Sequence, residues 1–322
     1  MTKILITDAV DEKYVDELRN IDGFEVDFRN GIKADDLKRI IHGYDCIIVR
    51  SRTKLTADIV NNATTARLVV RAGVGIDNID VEAATRMGIA VCNTPWANVV
   101  SAAELAFALM LSLSRNICAA NSSVHSDRWE TLKFTGSELS GKSLGIIGLG
   151  RVGREVAKRA KAFDMKVSAA DPYIKHEVAS GAGVRLVSLD DLLKESDIVT
   201  IHASMLPGNL HLVGKRELAL MKKGSLLINT ARGEMVDNEA LADAVASGAI
   251  AGAGMDVFEG EPAVNKKLTS KERVIMTPHI GAQTREAQAR VGAEVVQVVD
   301  SFFSKGEMLN AANLDGLSNR QL

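Results

Sequence analysis

Short apolar runs of four to six residues alternate along the whole chain with stretches in which apolar positions recur every three or four residues. Such runs read as strands buried on both faces, and the longer period as helices covering them. In the first part, strands are expected at 3–7, 25–28, 45–50, 68–71 and 90–92, with helices between, for example 11–20 and 34–42. In the second, strands are expected at 143–148, 166–171, 197–202, 225–229, 252–256 and 274–277. Strand and helix in alternation predict an α/β protein with two doubly wound parallel sheets, of five and six strands. Two longer helical patterns, 99 to about 124 and 284 to about 303, are needed inside neither sheet. They predict two crossings between domains, with the C-terminal tail completing the first. The expected division is 1–97 with 291–322 for one domain and 98–290 for the other. Function is then expected in the cleft between them, near the carboxyl ends of the strands.

One junction is specific in its chemistry. An apolar strand ending at Ile147 runs into G-x-G-x-x-G at Gly148, Gly150 and Gly153, and a helical pattern follows. The first glycine permits a tight turn, the second lets backbone approach a pyrophosphate, and the third lets helix pack on strand. The helix N-terminus offers free N–H groups to the phosphates. The next strand ends at Asp171, where a carboxylate can accept the adenosine ribose hydroxyls and repel a 2′-phosphate. This predicts a bound dinucleotide, NAD in preference to NADP, with Lys175 the nearest cation.

Composition narrows the partners. Lys and Arg total 39 against 41 Asp and Glu, for a net charge of −2 without long single-sign blocks. That excludes a nucleic-acid groove or an anionic membrane as the main partner. The N-terminal apolar run is too short for a signal peptide, and no stretch reaches the ~18 apolar residues of a membrane span. A cytoplasmic protein is expected. Cys46, Cys92 and Cys118 are widely spaced among apolar neighbours and read as small buried hydrophobes, not as a disulfide or zinc framework. His42, His125, His176 and His211 show no metal-ligand spacing, so no metal is expected, and His202 ends a strand beside the expected dinucleotide.

Three polar residues follow successive strands of the second sheet: Arg232 in Asn-Thr-Ala-Arg-Gly, Glu261 in Asp-Val-Phe-Glu-Gly-Glu-Pro, and His279 in Thr-Pro-His-Ile-Gly. Any one alone is as easily a solvated or scaffolding residue. Together, downstream of a nucleotide fingerprint, they suit reduction of a carbonyl beside a carboxylate. Arginine offers a planar fork to the carboxylate. Protonated histidine can deliver a proton to the developing alkoxide, and glutamate can stabilise the imidazolium. In the first part, Arg50, Arg52 and Arg71 lie at strand ends, and three cations there imply a phosphorylated or doubly anionic substrate. Gly73 and Gly75 let backbone N–H groups reach an anion or the nicotinamide.

Arg-Ala-Gly-Val-Gly-Ile-Asp-Asn-Ile-Asp (71–80), Gly-Leu-Gly-Arg-Val-Gly (148–153), Asn-Thr-Ala-Arg-Gly (229–233), Asp-Val-Phe-Glu-Gly-Glu-Pro (256–262) and Pro-His-Ile-Gly-Ala (278–282) resemble the D-2-hydroxyacid dehydrogenase family. The resemblance covers essentially the whole chain. It implies a Rossmann domain inserted into a flavodoxin-like substrate domain. It also implies Arg232 as carboxylate binder, Glu261 as partner and His279 as acid/base. It suggests cofactor contacts at Arg151, Val152, Asp171, Ala203, Thr230, Ala231, Asp256 and Gly281, and substrate contacts near Val74, Gly75 and Asn98. Val-Arg-Ser (49–51), Arg-Ala-Gly (71–73) and Ser-Ala-Ala-Glu-Leu (101–105) are most similar to the phosphoglycerate branch. The expected reaction is thus interconversion of 3-phosphoglycerate and 3-phosphohydroxypyruvate.

Two departures stand out. The family loop of Pro, Glu/Ser, Thr and Thr reads Leu-Pro-Gly-Asn-Leu here, at 206–210. The sequence also stops soon after Asn310-Ala-Ala-Asn, a short form shared with glyoxylate and hydroxypyruvate reductases, which predicts no allosteric inhibition by L-serine. Reduction of hydroxypyruvate or another anionic 2-oxo acid is therefore the alternative. A corepressor-like NAD-responsive binding protein is a further one, though long flanking segments are lacking. A homodimer or higher homo-oligomer is expected, from the apolarity of 102–113 and from the resemblance.

Overall fold

The computed structural model describes residues 1–206 and 208–317. It divides into two compact units, Met1–Asn98 with Ala282–Leu322, and Val99–Gly281.

The first unit holds five parallel strands: β1 (Thr2–Ile6), β2 (Phe24–Phe28), β3 (Cys46–Val49), β4 (Leu68–Arg71) and β5 (Ala90–Asn93), in the order β2-β1-β3-β4-β5. This is the flavodoxin-like order. Alternate residues enter opposite layers: Ile4 and Ile6 join one core, Leu5 the other. The helix Arg285–Lys305 presents Val291, Val295, Val298, Val299 and Phe302, at helical spacing, to the first of these cores. The segment beyond it returns to β5, where Asn313 Oδ1 accepts the Val91 amide at 2.9 Å.

The second unit holds seven parallel strands: β6 (Ser143–Ile147), β7 (Lys166–Ala170), β8 (Arg185–Leu186), β9 (Ile198–Ile201), β10 (Leu226–Asn229), β11 (Gly252–Met255) and β12 (Val274–Met276). Their order, β12-β11-β10-β9-β6-β7-β8, is the Rossmann order extended by one strand. The added member relative to the six expected is β8, a two-residue edge strand paired through Ser168↔Arg185 and Ala169↔Leu186. Two residues give no apolar run, which is why the sequence pattern misses it. The strand order reverses between β6 and β9, and at such a switch point the carboxyl ends open a crevice.

The helical pattern 99–124 is two helices, Val99–Ser114 and Ile117–His125, bent by 63°. Asn116 makes the break in left-handed backbone (φ 55°), a conformation asparagine tolerates better than most residues. Among the described residues, no single helix is long and apolar enough to cross a membrane. The apolar face of Val99–Ser114 is covered within its own unit: Ala103, Ala106, Leu109, Met110 and Leu113 are buried, and the helix packs against β10, β11 and the helix Arg151–Ala162. Its apolarity therefore gives no argument for an oligomer. Cys46 and Cys92 are buried, whereas Cys118 is exposed, contrary to the expectation that all three are core residues.

Candidate active site

At the switch point, Gly148 follows β6 with φ 89°, and a Cβ there would lie 2.5 Å from the Ala203 amide nitrogen. A Cβ on Gly153 would lie 2.2 Å from the Gly148 carbonyl oxygen. Both glycines are thus required by the protein's own packing. Gly150 differs, because a Cβ there meets nothing within 4 Å. It begins the helix Arg151–Ala162, whose first turn carries Arg151, Val152 and Gly153. The space beside it is a cavity of about 610 Å³ lined by Gly148, Gly150, Asp171, Tyr173, Ser188, His202, Ala203, Asn209 and Leu212 among others. A helix N-terminus, bare glycine backbone and a wall carboxylate together fit a dinucleotide diphosphate and its ribose. Asp171 accepts the Leu149 amide through Oδ2 (2.8 Å) and the Tyr173 and Ile174 amides through Oδ1 (2.9 and 3.2 Å). These bonds orient it on the glycine loop, and a carboxylate has about four acceptor sites, so Oδ2 keeps capacity for a ribose hydroxyl.

His202 Nε2 meets the Thr200 hydroxyl at 2.8 Å, and burial pushes the imidazole pKa down to about 3. The cavity wall is therefore kept neutral there. Ser188 and Tyr173 also line the wall but carry no recognisable motif. Ser188 is nevertheless legible as a helix N-cap, accepting the Asp191 amide. Pro207 of the 206–210 loop lies outside the described residues.

Arg232, Glu261 and His279 all lie in the second unit, beyond β10, β11 and β12, as three loops at one end of a parallel sheet. Asn229, fully buried, shapes the first loop: its side chain accepts the Ala231 amide (3.0 Å) and donates to the Arg232 carbonyl (2.8 Å). Thr230 beside it has a buried Oγ1 without a hydrogen-bond partner among the described residues. Such a hydroxyl awaits a partner. Gly233 is pressed so close to the Phe258–Glu259 peptide that a Cβ would sit 2.0 Å from the Phe258 carbonyl carbon.

Glu261 Oε2 accepts His279 Nδ1–H at 2.8 Å, and Oε1 accepts the Phe258 amide at 2.8 Å. Burial pushes the Glu261 carboxyl up, but the His279 and Phe258 hydrogen bonds, with the charges of His279 and Arg232, outweigh it. The result lies below the ordinary carboxylate value. His279 sits in left-handed backbone (φ 54°) with its amide bonded to the Asp256 carbonyl at 2.9 Å. Asp256, assigned by resemblance to the cofactor, is fully buried. Its carboxylate takes the Thr277 hydroxyl (2.5 Å) and the Ile280 and Gly281 amides (2.8 Å each). It builds the turn that presents His279 and exposes no face of its own. Gly281 is buried in that turn, leaving 3.2 Å between a hypothetical Cβ and Asp256 Oδ2. The positioning roles of Asn229 and Asp256 are invisible in sequence because both act through backbone. Among the described residues, no cluster of three His, Cys, Asp or Glu could hold a metal ion.

In the first unit, Arg50 and Arg71 fall at neighbouring strand ends, since Val49 pairs with Arg71. The Arg50 guanidinium donates to the Ala9 carbonyl at 3.0 Å, and burial lowers its pKa. Arg71 lies over Gly73, where a Cβ would come within 1.5 Å of its Nη1. Val74 and Gly75 follow in a turn pinned by Asn93, whose side chain donates to the Val74 carbonyl at 2.6 Å. Asn98 keeps a buried Oδ1 without a partner among the described residues. Arg52 is different. Its guanidinium is committed to buried Asp8 (3.1 Å), Asn30 (2.9 Å) and the Thr7 carbonyl (3.3 Å). Asp8 also takes the Thr53 hydroxyl and the Arg50 amide, so Arg52 is part of the scaffold of this edge.

Residues 107–281 match the D-isomer specific 2-hydroxyacid dehydrogenase family, NAD binding domain. The chain is 42% identical to D-3-phosphoglycerate dehydrogenase of Archaeoglobus fulgidus over 98% of its own length and 60% of that protein's. It thus spans less than two thirds of the phosphoglycerate dehydrogenases it matches. It is 44% identical to hydroxypyruvate reductase of Thermotoga maritima over 92% of its length and 97% of that protein's. Among solved structures, a glyoxylate reductase from Paecilomyes thermophila superposes with a TM-score of 0.90 at 30% identity, covering 98% of this chain and 99% of that one.

Proposed function

The chain belongs to the D-isomer-specific 2-hydroxyacid dehydrogenase family, and on that premise we propose that it interconverts a D-2-hydroxy acid and its 2-oxo acid with NAD(H). The observation that carries this reading is the His279–Glu261 pair at 2.8 Å, with Arg232 acting on the same carboxylate. Gly148, Gly150 and Asp171 would hold a nicotinamide dinucleotide, which would supply or accept the hydride at substrate C2. Arg232 holds the substrate carboxylate through its planar fork, Asn229 and Gly233 having fixed its loop. The acceptor oxygen of Glu261 requires that Nδ1 of His279 carry a hydrogen, which leaves Nε2 to exchange a proton with the substrate oxygen. In reduction Nε2–H donates; in oxidation Nε2 accepts. The nearby carboxylate stabilises the imidazolium before reduction and after oxidation.

The favoured substrate pair is 3-phosphoglycerate and 3-phosphohydroxypyruvate, with Arg50 and Arg71 on the phosphate and Val74, Gly75 and Asn98 near the acid. A second reading, reduction of hydroxypyruvate or glyoxylate, is favoured by two observations. Arg52 is committed to Asp8, and the chain is 44% identical to a hydroxypyruvate reductase. NADH consumption over a panel of anionic 2-oxo acids separates the two.

The protein is proposed to be cytoplasmic and a homodimer at least. Support for self-association comes from Ile117, Val124, Trp129 and Leu132, exposed together on one segment of the second unit.

A further inference from the structure

A second histidine–glutamate pair lies beside the first. His211 Nε2 stands 3.3 Å from both carboxylate oxygens of Glu259, two residues before Glu261 in the same turn. A carboxylate only accepts, so Nε2–H donates. His211 lies in the 203–213 loop, from which Ala203, Asn209 and Leu212 line the dinucleotide cavity. Its amide donates to the Glu234 carbonyl at 2.8 Å, and the Val213 amide to the Met235 carbonyl at 2.9 Å, both just after Arg232. Three segments therefore meet at one residue: His211 belongs to the cavity loop, its backbone amide holds the Arg232 loop and its imidazole holds the Glu261 turn. The backbone of His211 is left-handed (φ 49°), where glycine or asparagine fits at less cost. A histidine kept in that conformation points to a use for its side chain.

We propose that His211 and Glu259 form a positioning couple that ties the cofactor-cavity loop to the turn holding Glu261, so that dinucleotide affinity depends on the pair. The inference rests on the proposed dehydrogenase reading. Both side chains are partly exposed, at 39% and 44%, so the coupling is modest.

The test uses the full chain and NADH alone, with affinity read from cofactor fluorescence and stability from thermal melting. His211→Asn keeps a residue suited to the left-handed backbone and removes the reach to Glu259. It and Glu259→Ala should each weaken NADH binding about three- to tenfold, with little change in melting temperature. The double variant should be no weaker than the weaker single variant. Glu259→Gln, still an acceptor, should stay within about twofold of wild type. Wild-type affinity in both single variants, or losses that multiply in the double variant, overturns the couple and leaves the dehydrogenase reading intact. Failure of the unaltered chain to bind NADH overturns both.

Discussion

His279 Nδ1 donates to Glu261 Oε2 at 2.8 Å while the Phe258 amide occupies Oε1 at the same distance, so one carboxylate joins the acid–base residue to the backbone of its own turn. The imidazole is thereby fixed in tautomer and direction.

Removing either partner should have a distinct kinetic signature. His279→Ala should lower turnover about 10²- to 10⁴-fold and leave the NADH dissociation constant nearly unchanged, because the ring acts on a proton and not on the dinucleotide. A near wild-type rate would place the proton donor elsewhere. Glu261→Gln should move the high-pH limb of the reduction profile to lower pH, since the imidazolium loses its charged neighbour. The native Glu261 carboxyl titrates below its ordinary value. Its contribution to stability is therefore complete above the unfolded pKa and is lost as pH falls through the lowered native one. The substituted protein should accordingly show a shallower loss of melting temperature in that acidic window.

The glycines of the nucleotide turn should separate folding from binding. Gly153→Ala places a Cβ 2.2 Å from the Gly148 carbonyl, and overpacking of this kind typically costs about 1–3 kcal/mol. Gly150→Ala meets nothing within 4 Å. It should melt like wild type yet bind NADH at least about tenfold more weakly, a loss near 1.4 kcal/mol, because its methyl group fills the path of the diphosphate. Equal NADH affinity in Gly150→Ala and wild type would remove the diphosphate from this turn.

The arginines of the first unit should also divide. Arg71→Ala or Arg50→Ala should impair phosphohydroxypyruvate about ten- to a hundredfold more than hydroxypyruvate, the value of one charge-assisted hydrogen bond. Arg52→Ala should instead lower the melting temperature through Asp8 and affect both substrates alike. Equal losses on both substrates for Arg50 and Arg71 favour the hydroxypyruvate reductase reading.

Trp129 and Leu132 are 86% and 90% exposed. Sedimentation at micromolar concentration should show a species larger than the 34.5 kDa chain, and Trp129→Glu with Leu132→Glu should return it to that mass. A 34.5 kDa species in the unaltered protein removes the dimer.

Much of this architecture is legible in the amino-acid sequence because parallel strands buried on both faces are continuous apolar runs, and Cys46–Val49 or Leu226–Asn229 can hardly be read otherwise. The glycine turn is legible because its three glycines stand at a fixed short spacing between a strand and a helix. What escapes is either too short or too distant. Arg185–Leu186 has no pattern to detect. The bend at Asn116 carries neither proline nor glycine. Arg52 reads as a free cation because Asp8, 44 positions away, is not visible as its partner. His211 and Glu259 are separated by 48 positions. The bonds by which Asp256 builds the His279 turn escape because its amide partners at Ile280 and Gly281 have no signature in residue type.

The central claim, an NAD-dependent enzyme of D-2-hydroxy acids, is tested most directly by steady-state oxidation of NADH with phosphohydroxypyruvate, hydroxypyruvate and glyoxylate, with the configuration of the product determined. The account predicts that NADH is consumed with a D-hydroxy acid formed in equal amount. It also predicts the highest kcat/KM with phosphohydroxypyruvate and poorer use of NADPH, whose 2′-phosphate meets Asp171. A protein that binds NADH but oxidises it with none of these acids, or that uses NADPH as well as NADH, contradicts it.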